Sequence, residues 1–502
     1  MKRHSDAAWL FLLLGIAALL RFYNLGEAPF HHDESIHAWF SYMLFTGKPY
    51  RFDPVYHGPF LYWSNALIYS IMGDSDFTAR FLPALFSTGL ILLCFSMRRH
   101  LGRQGWIAAS LFIVFSPTMT FYGRFLAHDN YVAFFTLSLP ALALIWGRTK
   151  HPAFIWLAGA ALGFFISTKA CFYIHICIFA GFGVAAMLLN SFGPEYPAGF
   201  LFRRALSETV KNRWHLAGAM FSFLLLYVAF YSSFFEHWQG VADGITKTLA
   251  YWGGQQLHPR LPGPFWYYLP RLFIHEPAVY LAVPALFSMA AKKRRPFDTF
   301  LAFWTLASFL LYSIAQEKVP WLMMHIVLPM TLLAGRYVQE IWQGGKHGPW
   351  ITIALCILIS WSARDSVRLC FTSPPSAPHL LKFMASTEDV KETAGMIIKS
   401  ELGEMGDVFV TGRPVWPLAW YLRRQDVTYA MPPDGKKASV IIADSSGMID
   451  SGQFACSEKI LGTWWTPDYR KLITSDLLSY LVELKTDEPS GSFRFVECVR
   501  KH

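Results

Sequence analysis

Residues 7–37 read AAWLFLLLGIAALLRFYNLGEAPFHHDESIH, an apolar run that stops at Arg21, Phe22 and Tyr23 and gives way within ten residues to a dense polar cluster. The run Ala7 to Phe22 follows Met1-Lys2-Arg3-His4 and shows no small-residue cleavage signal, so it is expected to be a retained first membrane helix. The composition agrees: of 502 residues 54% are hydrophobic and 17% aromatic, and only 16% are charged. Soluble domains carry about 25% charged residues, so the chain is expected to be a polytopic helical membrane protein with a soluble part attached. Disordered, collagen-like and disulfide-stapled classes are excluded by abundant aromatics, aperiodic Gly and Pro, and seven scattered cysteines.

Further stretches long enough to cross a ~30 Å hydrocarbon layer lie near 79–97, 105–122, 130–147, 152–168, 171–190, 215–235, 271–291, 297–315, 320–341 and 349–363. With the first run they make about eleven helices. Alternate threading from a cytoplasmic N-terminus gathers Lys2/Arg3, Arg98/Arg99/Arg103, Arg148/Lys150, Arg203/Arg204/Lys211/Arg213, Lys292/Lys293/Arg294/Arg295 and Arg336/Lys346 on one side. Basic loops orient membrane proteins, so this bias accounts for the net charge of +10 without a nucleic-acid partner. The other, non-cytoplasmic side receives the loop 23–78, the turns 122–129, 169 and 316–320, the loop 236–270 and the C-terminal part.

Within the loop 23–78, Ser35–Phe45 and Phe60–Met72 are apolar on one face but too short to span, and are expected to lie in the interface. After Trp361 the pattern changes. A linker Ser373-Pro374-Pro375 precedes helix-like Glu388–Leu402, a strand Val408–Thr411, a helix around Trp416–Leu422 and a strand Val440–Ala443. The expected organisation is a membrane domain over 1–363 and a small α/β domain over 364–502 on the non-cytoplasmic side.

Carboxylates at the ends of spanning helices are costly near hydrocarbon unless a proton, a metal or a basic partner neutralises them. Asp33 and Asp129 stand at such places, each also suited to stabilise a first helical turn. His31, His32 and His37 accompany Asp33, so Asp33, Asp129 and His32 form a candidate set for a divalent metal such as Mg²⁺ or Mn²⁺. Arg21, Arg124, Lys169, Arg260 and Lys318 lie at outer helix ends, where each can snorkel to the interface or bind the phosphate of a lipid. No Walker loop, GxGxxG or GxSxG elbow is present. Cys94, Cys171, Cys177 and Cys356 read as packing residues, and Cys370, Cys456 and Cys498 fall in the outer domain without a spacing that dictates a disulfide. Trp416, Trp420 and Tyr421 fit a helix core better than a sugar platform.

Several motifs in order carry a family resemblance: Phe30-His31-His32-Asp33-Glu34-Ser35-Ile36-His37, Asp53-Pro54-Val55-Tyr56-His57-Gly58-Pro59-Phe60, Gly73-Asp74-Ser75-Asp76, Arg124-Phe125 with Asp129, Glu317-Lys318-Val319-Pro320-Trp321-Leu322, and Trp416-Pro417-Leu418-Ala419-Trp420-Tyr421-Leu422-Arg423. Nearly end to end, the chain resembles the GT-C superfamily of polytopic glycosyltransferases, and within it the flippase-activity-associated, protein-mannosyltransferase-like membrane proteins. The resemblance implies a polyprenyl-phosphate sugar donor, membrane lipid as environment, and transfer to a protein, lipid or glycan acceptor on the outer face of the cell (inner) membrane, usually with inversion. It assigns the catalytic base or metal ligand to Asp33, with Glu34 beside it, and the second acidic position to Asp129. Where many relatives read Lys-Glu after the fifth span, this chain has Lys169-Ala170. A non-catalytic component that binds lipid-linked oligosaccharide or assists its flipping would use the same groove and basic groups. An ion-coupled transporter fits less well, because the charges cluster at helix ends rather than at mid-membrane. The glycosyltransferase reading supposes that Asp33 and Asp129, far apart in sequence, serve one lipid-accessible cavity.

Overall fold

The computed structural model describes residues 2–188, 207–208, 210–290, 295–345, 348–400, 407–432, 438–447, 449–450, 452–483 and 490–501. Of the basic loop residues used to orient the chain, Arg203, Arg204, Lys292, Lys293, Arg294 and Lys346 lie outside them, as does Leu402 at the end of a predicted helix. The chain divides into two compact units. One comprises Met1–Tyr23, Pro49–Ser64 and Phe81–Cys370; the other comprises Asn24–Lys48, Asn65–Arg80 and Phe371–His502.

Among the described residues, eight helices are long and apolar enough to cross a membrane: Ser5–Phe22, Asp76–Ser96, Asp129–Thr149, Cys171–Leu188, Arg213–Tyr231, Pro296–Ile314, Pro320–Gln343 and Gly348–Thr372. Two further predicted spans are broken. Arg103–Phe115 and Pro117–Gly123 meet at 57°, and Tyr268–His275 and Val279–Met289 meet at 109°. The shorter apolar helix Ala153–Ile166 occupies the remaining predicted span. The chain is thus a multi-pass helical membrane protein.

The breaks have a local chemical cause. Pro117 cannot donate a backbone N–H, and it opens a new helix whose first turn needs acceptors. The Ser116 hydroxyl caps that turn by accepting from Met119 N at 3.1 Å, and buried Glu276, at the break of the other pair, accepts from Thr118 N and from Ser116 Oγ at 2.9 Å each. A carboxylate from the second interruption therefore serves the first. Beside it His275 Nδ1 lies 2.5 Å from Asp365 Oδ2.

Close helix packing in lipid relies on small residues, because lipid tails compete with apolar side chains. Gly105 and Gly335 meet in this way: a Cβ added at Gly335 would stand 2.4 Å from the Gly105 carbonyl oxygen. Buried Arg336 leaves the next position of the same helix to pair with Asp298 at 2.7 and 3.1 Å.

The second unit carries a six-stranded mixed sheet: β1 (Met384–Ser386), β2 (Val408–Val410), β3 (Val427–Thr428), β4 (Val440–Ala443), β5 (Phe454–Trp464) and β6 (Gly491–Arg500), in the order β1-β5-β6-β4-β2-β3. β2 runs parallel to β3 and β4, whereas β6 is antiparallel to β4 and β5. The helix Asp389–Lys399 buries Val390, Ala394 and Ile397, spaced at four and three residues, with Val408, Val440 and Phe495. Predicted strands and helices at 388–402, 408–411, 416–422 and 440–443 all have counterparts here. Cys456 and Cys498 face each other across β5 and β6 and form a disulfide, a pairing that the spacing alone had left open. Cys94 and Cys171 are buried as expected, but Cys177 and Cys356 are exposed on their helices rather than packed within the chain.

Candidate functional site

In the first unit the candidate acid Asp129 opens the helix Asp129–Thr149 and is 1% exposed. A carboxylate so buried is tenable only with charged and hydrogen-bonding partners. Lys169 supplies the charge, its Nζ lying 3.1 and 3.0 Å from the two carboxylate oxygens. His325 donates from Nε2 to Oδ1 at 2.9 Å. Lys169 sits in the turn between Ala153–Ile166 and Cys171–Leu188, so its acidic partner comes from a distant helix rather than from position 170, which is Ala.

The turn before Lys169 is laced to the Asp53–Phe60 motif. Gly58 N donates to Thr168 O at 2.7 Å and Phe60 N to Ser167 O at 2.9 Å. A Cβ at Gly58 would stand 2.2 Å from the Ser167 carbonyl oxygen, so no larger residue allows this approach. The preceding His57 holds φ 66° and ψ −158°, a conformation that glycine alone adopts readily. Its ring stacks on Trp252 at 5.4 Å and meets His128 edge-on at 5.0 Å. Phe52, His57, Lys169, Tyr173, Tyr231 and Trp252 line a small pocket. It is an aromatic-walled cavity with a buried ammonium at its edge.

The other predicted cations are engaged with the backbone or at the surface. Fully buried Arg21 donates to Ser87 Oγ at 2.8 Å and Ile113 O at 2.9 Å. Arg124 donates to Leu20 O and Tyr23 O at the end of the first helix. Lys318 donates to the carbonyls of Tyr312, Ser313 and Ala315, and burial brings its ammonium down to about 8. Arg260 pairs with Glu317 at 2.9 Å. Lys169 is the cation that the structure joins to a predicted acid and to a pocket.

In the second unit the helix His32–Phe45 begins with a capping box. His31 Nδ1 accepts the Asp33 N–H at 3.0 Å, and Glu34 Oε2 accepts the His31 N–H at 3.1 Å. The side chain of Asp33 is 42% exposed and that of Glu34 only 2%. Burial lowers the pKa of His32, with the Asp33 charge opposing, so its imidazole is neutral over a wider range than usual. Trp420, predicted as core, is fully buried and stacks on Phe30 at 5.5 Å.

Sequence reasoning passed over His325, Cys171 and Trp252. Asp129, Cys171 and His325 bring one donor atom each within 4.8 Å of one another. This set of carboxylate, thiol and imidazole, with an ammonium already on the carboxylate, does not suit Mg²⁺ or Mn²⁺, which prefer oxygen ligands.

No family model matches the chain. An uncharacterized protein of Aquifex aeolicus is 27% identical over 348 residues, covering 66% of this chain and 64% of that protein. An undecaprenyl phosphate-alpha-4-amino-4-deoxy-L-arabinose arabinosyl transferase 2 of Proteus mirabilis is 26% identical over 300 residues, covering 55% of this chain and 48% of the relative. The chain thus spans about half to two thirds of the length of these curated relatives. Among solved structures, ArnT from Cupriavidus metallidurans bound to undecaprenyl phosphate matches with TM-score 0.59 and 16% identity over 98% of both chains. The oligosaccharyltransferase AglB from Archaeoglobus fulgidus, in complex with an inhibitory peptide and a dolichol-phosphate, matches with TM-score 0.56 and 12% identity over 88% of this chain and 70% of that one. These likenesses show the fold: the chain shares the overall architecture of these two membrane proteins.

Proposed function

We propose that the chain is a membrane glycosyltransferase that moves a sugar from a polyprenyl-phosphate donor to an acceptor hydroxyl on the outer face of the membrane. The observation that carries this reading is the buried Lys169 ammonium, paired with Asp129 and lying at the edge of an aromatic-walled pocket. Curated relatives named as undecaprenyl-phosphate arabinosyl transferases, and a GT-C structure bound to undecaprenyl phosphate, support the donor class. The disulfide Cys456–Cys498 supports an oxidising, outer location for the sheet, since such bonds persist outside the cytoplasm.

The reaction is a single displacement. The acceptor oxygen bonds to the anomeric carbon as the bond from that carbon to the phosphate oxygen breaks, which inverts the centre. The acceptor proton passes to Asp33, and the electron pair leaves with the lipid phosphate. A phosphate leaving group needs no strong acid. The acceptor is a protein, lipid or glycan hydroxyl.

General-base help is worth about 10²–10⁴-fold. Asp33→Asn, with the melting temperature unchanged, is therefore expected to lose that factor in transfer from purified polyprenyl-phosphate sugar. A variant that folds and transfers at the wild-type rate rejects the base assignment. Wild-type protein that binds the donor yet transfers nothing under all acceptor conditions favours a non-catalytic lipid-linked oligosaccharide carrier.

A further inference from the structure

Asp33 and Glu34 are neighbours in sequence, but successive residues leave a helix about 100° apart, so they need not share a task. Their surroundings differ accordingly. Arg80 meets the buried Glu34 carboxylate with a two-pronged pair, Nε to Oε1 and Nη2 to Oε2, both at 2.7 Å. Its Nη1 donates to Leu25 O at 3.1 Å and Ala28 O at 2.9 Å, and Nη2 also to Pro29 O at 3.3 Å. A guanidinium has five N–H groups, and these five acceptors take them all. The guanidinium carbon also lies 4.5 Å from the centroid of the Phe30 ring.

Every bond from Arg80 ends on the segment 25–34, and none ends on Asp33. The fork fixes three carbonyls of the approach to the helix, while Glu34, which it holds, accepts the His31 N–H. His31 in turn accepts the N–H of Asp33. The chain of contacts runs from a buried arginine to the backbone of the exposed carboxylate. Buried ion pairs add little net stability over apolar packing, so stability alone is a weak reason for this one.

We propose that Arg80 and Glu34 are positioning residues that aim Asp33, dividing the acidic pair into one group that reacts and one that holds. The inference rests on the base role given to Asp33. Lysine cannot replace the fork, because it offers a point charge with three donors where five acceptors in one plane must be met.

The test uses the full chain, with Arg80→Lys and Glu34→Gln each made alone and together with Asp33→Asn. Misplacement of a reacting group by about 1 Å costs on the order of 10²-fold, so each single variant is expected to lose roughly that in kcat while the KM for the lipid donor is unchanged. In the Asp33→Asn background neither change should cost anything further, because nothing remains to be aimed. Losses that multiply in the double variants, or wild-type kcat in both single variants, overturn the positioning role and leave the base role intact. Full activity of Asp33→Asn alone overturns both. Should Arg80→Lys fail to fold, Glu34→Gln, which keeps the volume and one acceptor, carries the same comparison.

Discussion

At the scale of a residue, Asp129 shows what a buried carboxylate demands. Its two oxygens face one ammonium and one imidazole, and removing either partner leaves charge stranded away from water. Lys169→Met is expected to cost about 3–5 kcal/mol, read as a lowered melting temperature in detergent. The double variant Asp129→Asn/Lys169→Met should recover much of that loss, because an amide can bond to His325 without a counter-charge; a double variant as unstable as the single one contradicts the pairing. Half of this arrangement was legible beforehand. Alternate threading puts Asp129 and Lys169 at helix ends on one side, and a buried acid next calls for a base. His325 was not legible, since it lies in the apolar run Met323–Met330, where hydropathy does not tell which face a lone histidine takes. The different fates of Asp33 and Glu34 were hidden for another reason: the arginine that separates them lies 46 residues further along the chain.

At the scale of elements, motifs that looked independent prove to be two halves of one contact. Asp74, from Gly73-Asp74-Ser75-Asp76, accepts from Arg423 Nε and Arg424 Nη2 at 2.6 Å each, while Asp76 accepts from Trp420 Nε1 at 2.7 Å and pairs with Lys391 at 3.0 Å. The helix Val415–Tyr421 and the arginines that follow it are thereby tied to the turn Gly73–Asp76. Burial pushes the Asp74 carboxyl up, but the hydrogen bonds from Arg424 and Arg423 outweigh it and hold the pKa below the ordinary 3.8. A depressed carboxyl binds fewer protons folded than unfolded. Its contribution is therefore whole above pH 3.8 and fades as the pH falls through the lower folded value. Fluorescence of Trp420 during acid titration should report this loosening, and Asp74→Asn should flatten that limb of the curve. An unchanged limb in Asp74→Asn assigns the transition elsewhere. Gly58 makes a parallel case in the first unit: Gly58→Ala must push the Ser167–Thr168 turn away and, by displacing Lys169, weaken binding of a polyprenyl-phosphate lipid, while Gly15→Ala, in helical backbone with open space around it, leaves binding unchanged.

At the scale of the molecule, apolar helices and a mixed sheet impose different requirements on the two sides of a membrane, and the disulfide is where they become testable. The order of the apolar segments followed from hydropathy, but about eleven spans were expected and the described residues hold eight, or ten counting each bent pair; the breaks were hidden because Glu276 serves Ser116 and Thr118 from 158 to 160 residues away and a window along the chain cannot register that. Sheet order was equally hidden: β5 and β6 are long central neighbours separated by helix-forming sequence, and only their pairing brings Cys456 opposite Cys498. Closing a loop with a sequence separation of 42 restricts the unfolded chain by roughly 4 kcal/mol in the chain-entropy account. Cys456→Ser/Cys498→Ser in the full chain should lower the thermal midpoint of the sheet and abolish its sensitivity to reductant, while the wild type treated with reductant falls to the same midpoint. The same bond tests orientation. If the sheet faces the oxidising side, thiol labelling of freshly lysed, denatured cells finds Cys456 and Cys498 protected until reduction and the remaining five cysteines reactive. Free thiols at 456 and 498 in those cells would place the sheet in a reducing compartment, and the acceptor side of the proposed reaction would have to be reassigned with it.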